Sequence, residues 1–417
     1  MLLVAAVFSL LQLANVTVRA TPDTKNYLAY ALSLSGHSRH ETAVLTIDYA
    51  CRGRASLARR AQSVNVLDFH DPDPTARFTA GCRAQQWRQL KERTHAGQGG
   101  HTLPFMSERF MRIFEARPGY PVFLVPFVTV FGITWGLWTA SVVAAVAGGI
   151  LAFLILRTLS VPLPLALTGQ VLFYVLPCGT TAMRPMTEGL MLALTLAAVW
   201  GCALVLTRQR ARAGLALIGG SLLVLFAVKH SQALFLGVCL AAAGALIGVR
   251  RRRCGRVPGR GVAAITVLGC AAVLGTLLLA KALHYPSQTD SLQDLLTDHY
   301  ARPDRTRLWP EFLHLEADFW VEWTRRQLWE PLFAAALATG AWGALRRPAF
   351  GVCLLAAAFT GILTQAAHPD ITVWGGRLIV LAWLLPVVGV PLLLEPVVQG
   401  RAAVPPQMKA ERAHSLR

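Results

Sequence analysis

Charge is what this sequence has least of. Only 15% of its 417 residues are Asp, Glu, Lys or Arg, where a soluble domain carries about 25%. Acids are scarcer than bases, 22 against 40, which leaves a net charge of +18. Its eight cysteines form no Cys-x-x-Cys pair, which excludes a zinc ribbon and a dithiol redox motif. No Gly-x-Gly-x-x-Gly or P-loop run is present, so nothing announces a nucleotide. What is abundant is apolar: 54% of the chain, before 34 glycines are added. Such a chain cannot cover a water-facing globule with polar surface, and its natural solvent is a lipid bilayer. The basic residues gather in short runs between apolar stretches, and the aromatics are not interleaved with them. The charge therefore reads as a topology signal and excludes nucleic acid as a partner.

The apolar segments and charge runs predict an all-α polytopic protein of the cell membrane with about ten spans. Residues 1–18 read as the first transmembrane helix, although Val18-Arg19-Ala20 loosely resembles a signal-peptidase site and no basic residue precedes the run. Residues 19–133 form a long outer loop carrying interfacial helices. Helices 2–7 occupy 134–282, a second outer loop 283–330, helices 8–10 residues 331–395, and a cytoplasmic basic tail 396–417. The run from Pro118 to Arg157 is twice the ~20 residues that cross a bilayer once. Counting it as one span puts every cationic cluster on one side: Arg157, Arg208 to Arg212, Arg250 to Arg253 with Arg256 and Arg260, Arg346 and Arg347, and the tail with Arg401, Lys409, Arg412 and Arg417. Counting it as two spans would translocate Arg250 to Arg253, against the positive-inside rule. Residues 118–133 are thus interfacial, and both termini are cytoplasmic.

With that topology, Asp23, Glu115, Arg117, Arg184, Glu188, Lys229, His230, His368, Asp370 and Arg377 all fall at outer helix ends. Ionisable groups are costly near lipid and mark pathways or sites, although one alone is more often a snorkelling residue. Asp23, just past the first span, stands above Tyr27, Ala31 and Leu34 at helical spacing, either as a functional carboxylate or as an N-cap. Glu115 and Arg117 precede Pro118, which can open a helix. A guanidinium beside a helix N-terminus is a ready phosphate site, or else an anchor to headgroups. In the first outer loop stand Cys51 and Cys82, which an oxidising compartment would allow to bridge and a reducing one would leave as free thiols.

These motifs in this order resemble the polytopic GT-C glycosyltransferases, which include protein O-mannosyltransferases, aminoarabinose transferases and actinobacterial relatives. The likeness rests on Asp23 with Tyr27, on Glu115, Arg117 and Pro118, on Arg184-Pro185-Met186-Thr187-Glu188, on the stretch from Leu283 to Glu330, and on Gly376-Arg377-Leu378. It implies sugar transfer from a polyprenyl-phosphate donor in the outer leaflet to a hydroxyl on a glycan, lipid or protein acceptor. Asp23 would be the general base. Arg117, Arg377 and Arg184 would receive the phosphate, with Tyr27, Glu115 and Glu188 completing the substrate site. The sequence lacks the second acid that many relatives carry directly after Asp23. No resident cofactor or metal is therefore expected, though a divalent cation would still fit. A polytopic lipid or solute transporter or flippase, or a non-catalytic protein of GT-C-like build, would share the span pattern. A transporter usually places its polar groups near the midplane, and often in repeated halves. Here the span centres are nearly free of ionisable groups, and no repeat is found.

Overall fold

The computed structural model describes residues 1–402 other than Val18, 96–106, Arg256, Pro258 and Trp374, and leaves the side chains of Arg93, Val373 and 400–402 undescribed. Arg256, the Arg401 side chain, and Lys409, Arg412 and Arg417 of the expected basic tail therefore lie outside the described residues. Every regular element among the described residues is helical. In chain order these are α1 (Leu2–Gln12), α2 (Pro22–Leu34), α3 (Arg39–Gln62), α4 (Thr75–His95), α5 (Glu108–Glu115), α6 (Gly119–Thr158), α7 (Leu163–Val175) and α8 (Pro177–Ala182). Then come α9 (Thr187–Leu206), α10 (Ala211–Arg253), α11 (Arg260–Ala282), α12 (Gln288–Leu296), α13 (Leu308–Trp329), α14 (Leu332–Leu345), α15 (Pro348–Ala366) and α16 (Leu384–Ala402). Short 3-10 turns occupy Leu13–Asn15, Ile371–Val373 and Val380–Trp383.

Among the described residues six stretches are long and apolar enough to cross a membrane: α6, α9, α10, α11, α15 and Val380–Gln399. Leu2–Asn15, α7 and α14 are apolar but shorter. The first of these reaches only Asn15, about 21 Å at 1.5 Å per residue, where residues 1–18 were expected to span. α7 stops at Val175 because Leu176 turns extended ahead of Pro177, whose ring disfavours a helical predecessor.

Two of the long helices are broken. In α6 the break is at Gly132, with φ of +71°, a left-handed conformation that glycine adopts without steric cost. The chain bends so sharply there that a Cβ on Gly136 would lie 2.6 Å from the Phe127 oxygen. Nine residues of straight helix would separate those two by ~13.5 Å. In α10 the break is at Lys229, the one residue with non-helical φ and ψ inside it. A straight helix of that length would hold its ends ~65 Å apart. Instead Gly259 has Arg251 Nη1 3.3 Å and Arg208 Nη2 3.9 Å from where its Cβ would stand. Arg208 just precedes the helix and Arg251 lies near its end, so α10 doubles back at Lys229. The reversal puts Lys229 at one end of the bundle and the arginine runs at the other.

Small residues let the helices approach closely, as packing without a hydrophobic drive requires. Gly340 and Gly343 of α14 meet the backbone of Gly389 in α16, and Gly237 of α10 meets Gly269 of α11. The main core lies between the spans and includes Phe173, Leu196, Leu240, Leu354 and Leu381. A second, separate core, with Tyr27, Leu28, Ile47, Met111, Phe114 and Leu124, joins α2, α3 and α5 to the first half of α6. The chain between α1 and α6 thus builds a helical layer of its own among the described residues. Cys51 of α3 and Cys82 of α4 are joined by a disulfide.

Candidate active site

The start of α2 is set by local chemistry. Thr21, not Asp23, is the N-cap: it forms a capping box with Thr24, and Pro22 follows as the first helical residue. Asp23 therefore lies in the first turn, where the helix dipole favours a carboxylate. The Thr24 hydroxyl also donates to the Pro185 carbonyl at 3.1 Å, which ties this turn to the segment preceding α9.

Opposite Asp23 stands Arg377, in the irregular stretch before the Val380–Trp383 turn. Its guanidinium donates to the Asp23 carboxylate, 354 residues away in sequence. Through Nε it also donates to Glu188 Oε1 at 3.4 Å. Glu188, in the first turn of α9, accepts from the Thr187 hydroxyl at 3.1 Å and has Lys229 Nζ 4.0 Å away. Glu188 and Lys229 are buried, whereas the Asp23 and Arg377 side chains remain 23% and 25% exposed. The result is a graded chain of charge, with a buried base and an accessible edge.

A second layer adjoins it. Arg117, just before α6, donates to the Tyr27 hydroxyl at 3.3 Å, while its buried Nε has no partner among the described residues. Burial alone would lower the Arg117 pKa, but Tyr27, Glu188 and Asp294 outweigh it and hold the guanidinium above its ordinary value. Glu115 acts on Tyr30, whose hydroxyl is pushed up by burial and by this carboxylate. Arg184 stands apart: it is exposed, and its charge is felt by another cation, Arg19, whose pKa falls through burial and this repulsion. Asp23, Glu188 and Arg377 thus meet directly, Tyr27 and Arg117 meet beside them, and Arg184 contacts no carboxylate among the described residues.

The segment after α12 closes one side. His299 pairs with Asp294 at 3.0 Å and lies against Phe110, ring centroids 4.7 Å apart. Its pKa is raised, chiefly by the Asp294 hydrogen bond. His368 feels Asp294, Asp370 and Lys229, but burial dominates and lowers it. Asp298, His299 and Tyr300 are all left-handed, with φ of 54° to 59°, a conformation costing ~1–2 kcal/mol per residue. Arg109 of α5 holds this turn in place. It donates to Asp304 at 2.8 and 2.9 Å and to Asp290 at 3.3 Å, and it lies 4.4 Å from the Tyr300 ring centroid.

Lys229 and Asp294 are members that the sequence did not assign to the substrate site. A lysine inside an apolar run was a visible signal, but only the doubling back of α10 brings it to Glu188. Asp294 entered only through Gln293-Asp294-Leu295-Leu296-Thr297, within the stretch from Leu283 to Glu330 that carries the resemblance. Among the described residues no group of three or more His, Cys, Asp or Glu is arranged to hold a metal ion. Chemically, the cluster offers one accessible carboxylate, with Arg117, Lys229 and Arg377 set against Asp23, Glu188 and Asp294. Comparison with protein-family models, with curated proteins and with solved structures finds no match to this chain.

Proposed function

We propose that this protein is a membrane glycosyltransferase that moves a sugar from a polyprenyl-phosphate donor to an acceptor hydroxyl, with Asp23 as general base. The observation that carries the reading is the convergence of Asp23, Arg377 and Glu188 from three distant parts of the chain at one rim of the bundle. A lone exposed acid or arginine has bland explanations; a carboxylate and a guanidinium sharing a partly open edge over a buried counter-charge have fewer.

In the proposed reaction the incoming phosphate draws Arg377 away from Asp23, which frees a carboxylate oxygen. That oxygen takes the proton of the acceptor hydroxyl, and the hydroxyl oxygen attacks the anomeric carbon. The bond from that carbon to the phosphate oxygen breaks, inverting the centre, and the departing polyprenyl phosphate carries its electron pair to the cations. Arg377 and Arg117 receive it, Lys229 supports them from behind, and Glu188 holds Arg377 and Lys229 between turnovers. Tyr27 positions Arg117. Glu115 and Arg184 flank the sugar and the lipid approach. On this reading the site faces the non-cytoplasmic side, the helices number about ten, and no resident cofactor is needed.

The test is transfer from labelled polyprenyl-phosphate sugars in membranes containing the native chain or Asp23→Asn. Loss of transfer with normal insertion supports the reading, and unchanged transfer sinks it. A transporter is the second reading, favoured by the buried Glu188–Lys229 pair at a break between helices, a feature of ion-coupled carriers. Lipid translocation in vesicles lacking any acceptor, sensitive to Glu188→Gln but not to Asp23→Asn, would support it instead.

A further inference from the structure

The turn joining α3 to α4 bears four large apolar side chains within six residues; three stand almost fully exposed, and Phe69 lies only against the neighbouring His70 ring, centroids 3.7 Å apart. Val64, Val66 and Leu67 are 82%, 84% and 86% exposed, and Phe69 is 51% exposed. The turn itself is ordered by hydrogen bonds: the Asn65 side chain accepts from Leu67 N at 3.0 Å and donates to Asp68 Oδ2 at 2.6 Å. An apolar cluster on an ordered loop marks a surface that something covers.

Its position indicates what. Arg60, two turns of chain earlier on α3, donates to Asn15 Oδ1 at 2.6 Å and to the Ala14 carbonyl at 3.2 Å. The backbone of Gly53 sits against the Thr17 carbonyl, with 3.3 Å from that oxygen to where a Cβ would stand. A cleft of about 120 Å³ between Tyr49, Arg52, Ile133 and Thr134 continues the contact to the bend of α6. α3 therefore rests on the site-side ends of α1 and of the second half of α6. Leu10, Leu11 and Leu13 of the adjoining α1 segment are themselves exposed, so the apolar tip continues a surface already turned to lipid. Charge around the tip is close to balanced: Arg59 pairs with Asp73 at 3.2 Å, Asp68 is held by Asn65, and Arg60, Arg77 and Asp71 complete the set. Attraction to one sign of headgroup is thus not the driving term. Burial of the apolar side chains is.

We propose that the 64–69 tip inserts into the leaflet on the site side and anchors the α3–α4 hairpin at the membrane surface. The anchor acts on the rim through two links. The Lys25 ammonium of α2 donates to Gln86 Oε1 of α4 at 3.5 Å. The second core also packs Ile47 and Leu90 against Tyr27 and Leu28. Fixing the hairpin therefore fixes the height of the helix that carries Asp23. The inference does not depend on what Asp23 does.

The test uses the full chain carrying Cys254→Ser and Cys270→Ser, which removes the exposed free thiols, and Leu67→Cys labelled with an environment-sensitive fluorophore. It is reconstituted in phosphatidylcholine vesicles. Doxyl-labelled lipid is expected to quench the Leu67→Cys probe several-fold more than a probe at Arg88→Cys on α4, and aqueous iodide to show the reverse order. Val64→Cys gives the same reading if the first variant fails to insert. Equal iodide quenching at both positions without lipid quenching overturns the proposal. Shielding from both quenchers also overturns it, because the tip would then be covered by protein.

Discussion

The two ends of the helical bundle hold the same kind of residue in opposite states. At the arginine-rich end Arg208, Arg210, Arg212, Arg250 and Arg252 are exposed, and among the described residues of that end only Arg347 has an acid, Glu395 at 3.0 Å. At the site rim Arg377 and Lys229 are drawn toward buried Glu188, Arg377 also toward Asp23, and Arg117 into the field of Glu188 and Asp294. An exposed cation keeps its hydration and costs little wherever it sits. A buried one persists only where a counter-charge faces it. The contrast separates cations left in the open from cations held by buried acids.

Mutations at the two ends should therefore differ most. Asp23→Asn is expected to lower sugar transfer by about 10²–10⁴-fold, the contribution of a general base, with unchanged insertion, as read from initial rates in proteoliposomes. Glu188→Gln leaves Arg377 and Lys229 without their shared buried counter-charge. It should cost about 3–5 kcal/mol, measured as lost resistance to denaturant in detergent. Glu395→Gln, the matching change at the far end, should cost only about 1 kcal/mol, because Arg347 is 45% exposed and water screens the pair. Equal losses for these two variants would erase the distinction between the ends. Arg210→Gln should stay within about 0.5 kcal/mol and leave transfer unchanged.

The smallest effect is in pH. His299 is held above its ordinary 6.5 by Asp294, so the pair stabilises the left-handed turn fully below that ordinary value. The contribution is lost as pH rises through the raised one. Protection factors over 297–302, with the intrinsic base-catalysed exchange divided out, should fall across that interval, and Asp294→Asn should remove that fall.

Some of this was legible in the residues. Asp23, Glu188 and Arg377 could be picked out because an ionisable group beside an apolar run is rare and costly, so each was conspicuous alone. The break at Gly132 was legible indirectly, since a 40-residue apolar run exceeds the membrane thickness and the arginine runs demanded an odd number of crossings. The link of Asp294 to the site was not: it stood in a motif of the resembling loop, but a polar residue in a polar loop carries no contrast of its own. Nor was the separation of Arg184 from the cluster. Its motif resembled a site element, but the side chain is exposed and its charge acts on Arg19, which no spacing rule encodes.

Composition and periodicity by themselves determined that this chain is helical, apolar and built for a bilayer, and which cations lie together in short runs. These are local or summed properties, and transfer free energy from water to lipid depends only on such sums. Which acid faces which base was decided by tertiary structure alone. Asp23 reaches Arg377 across 354 positions, and Lys229 meets Glu188 only because α10 reverses. Contacts of that range depend on how every intervening helix packs, and no short window of sequence contains that information.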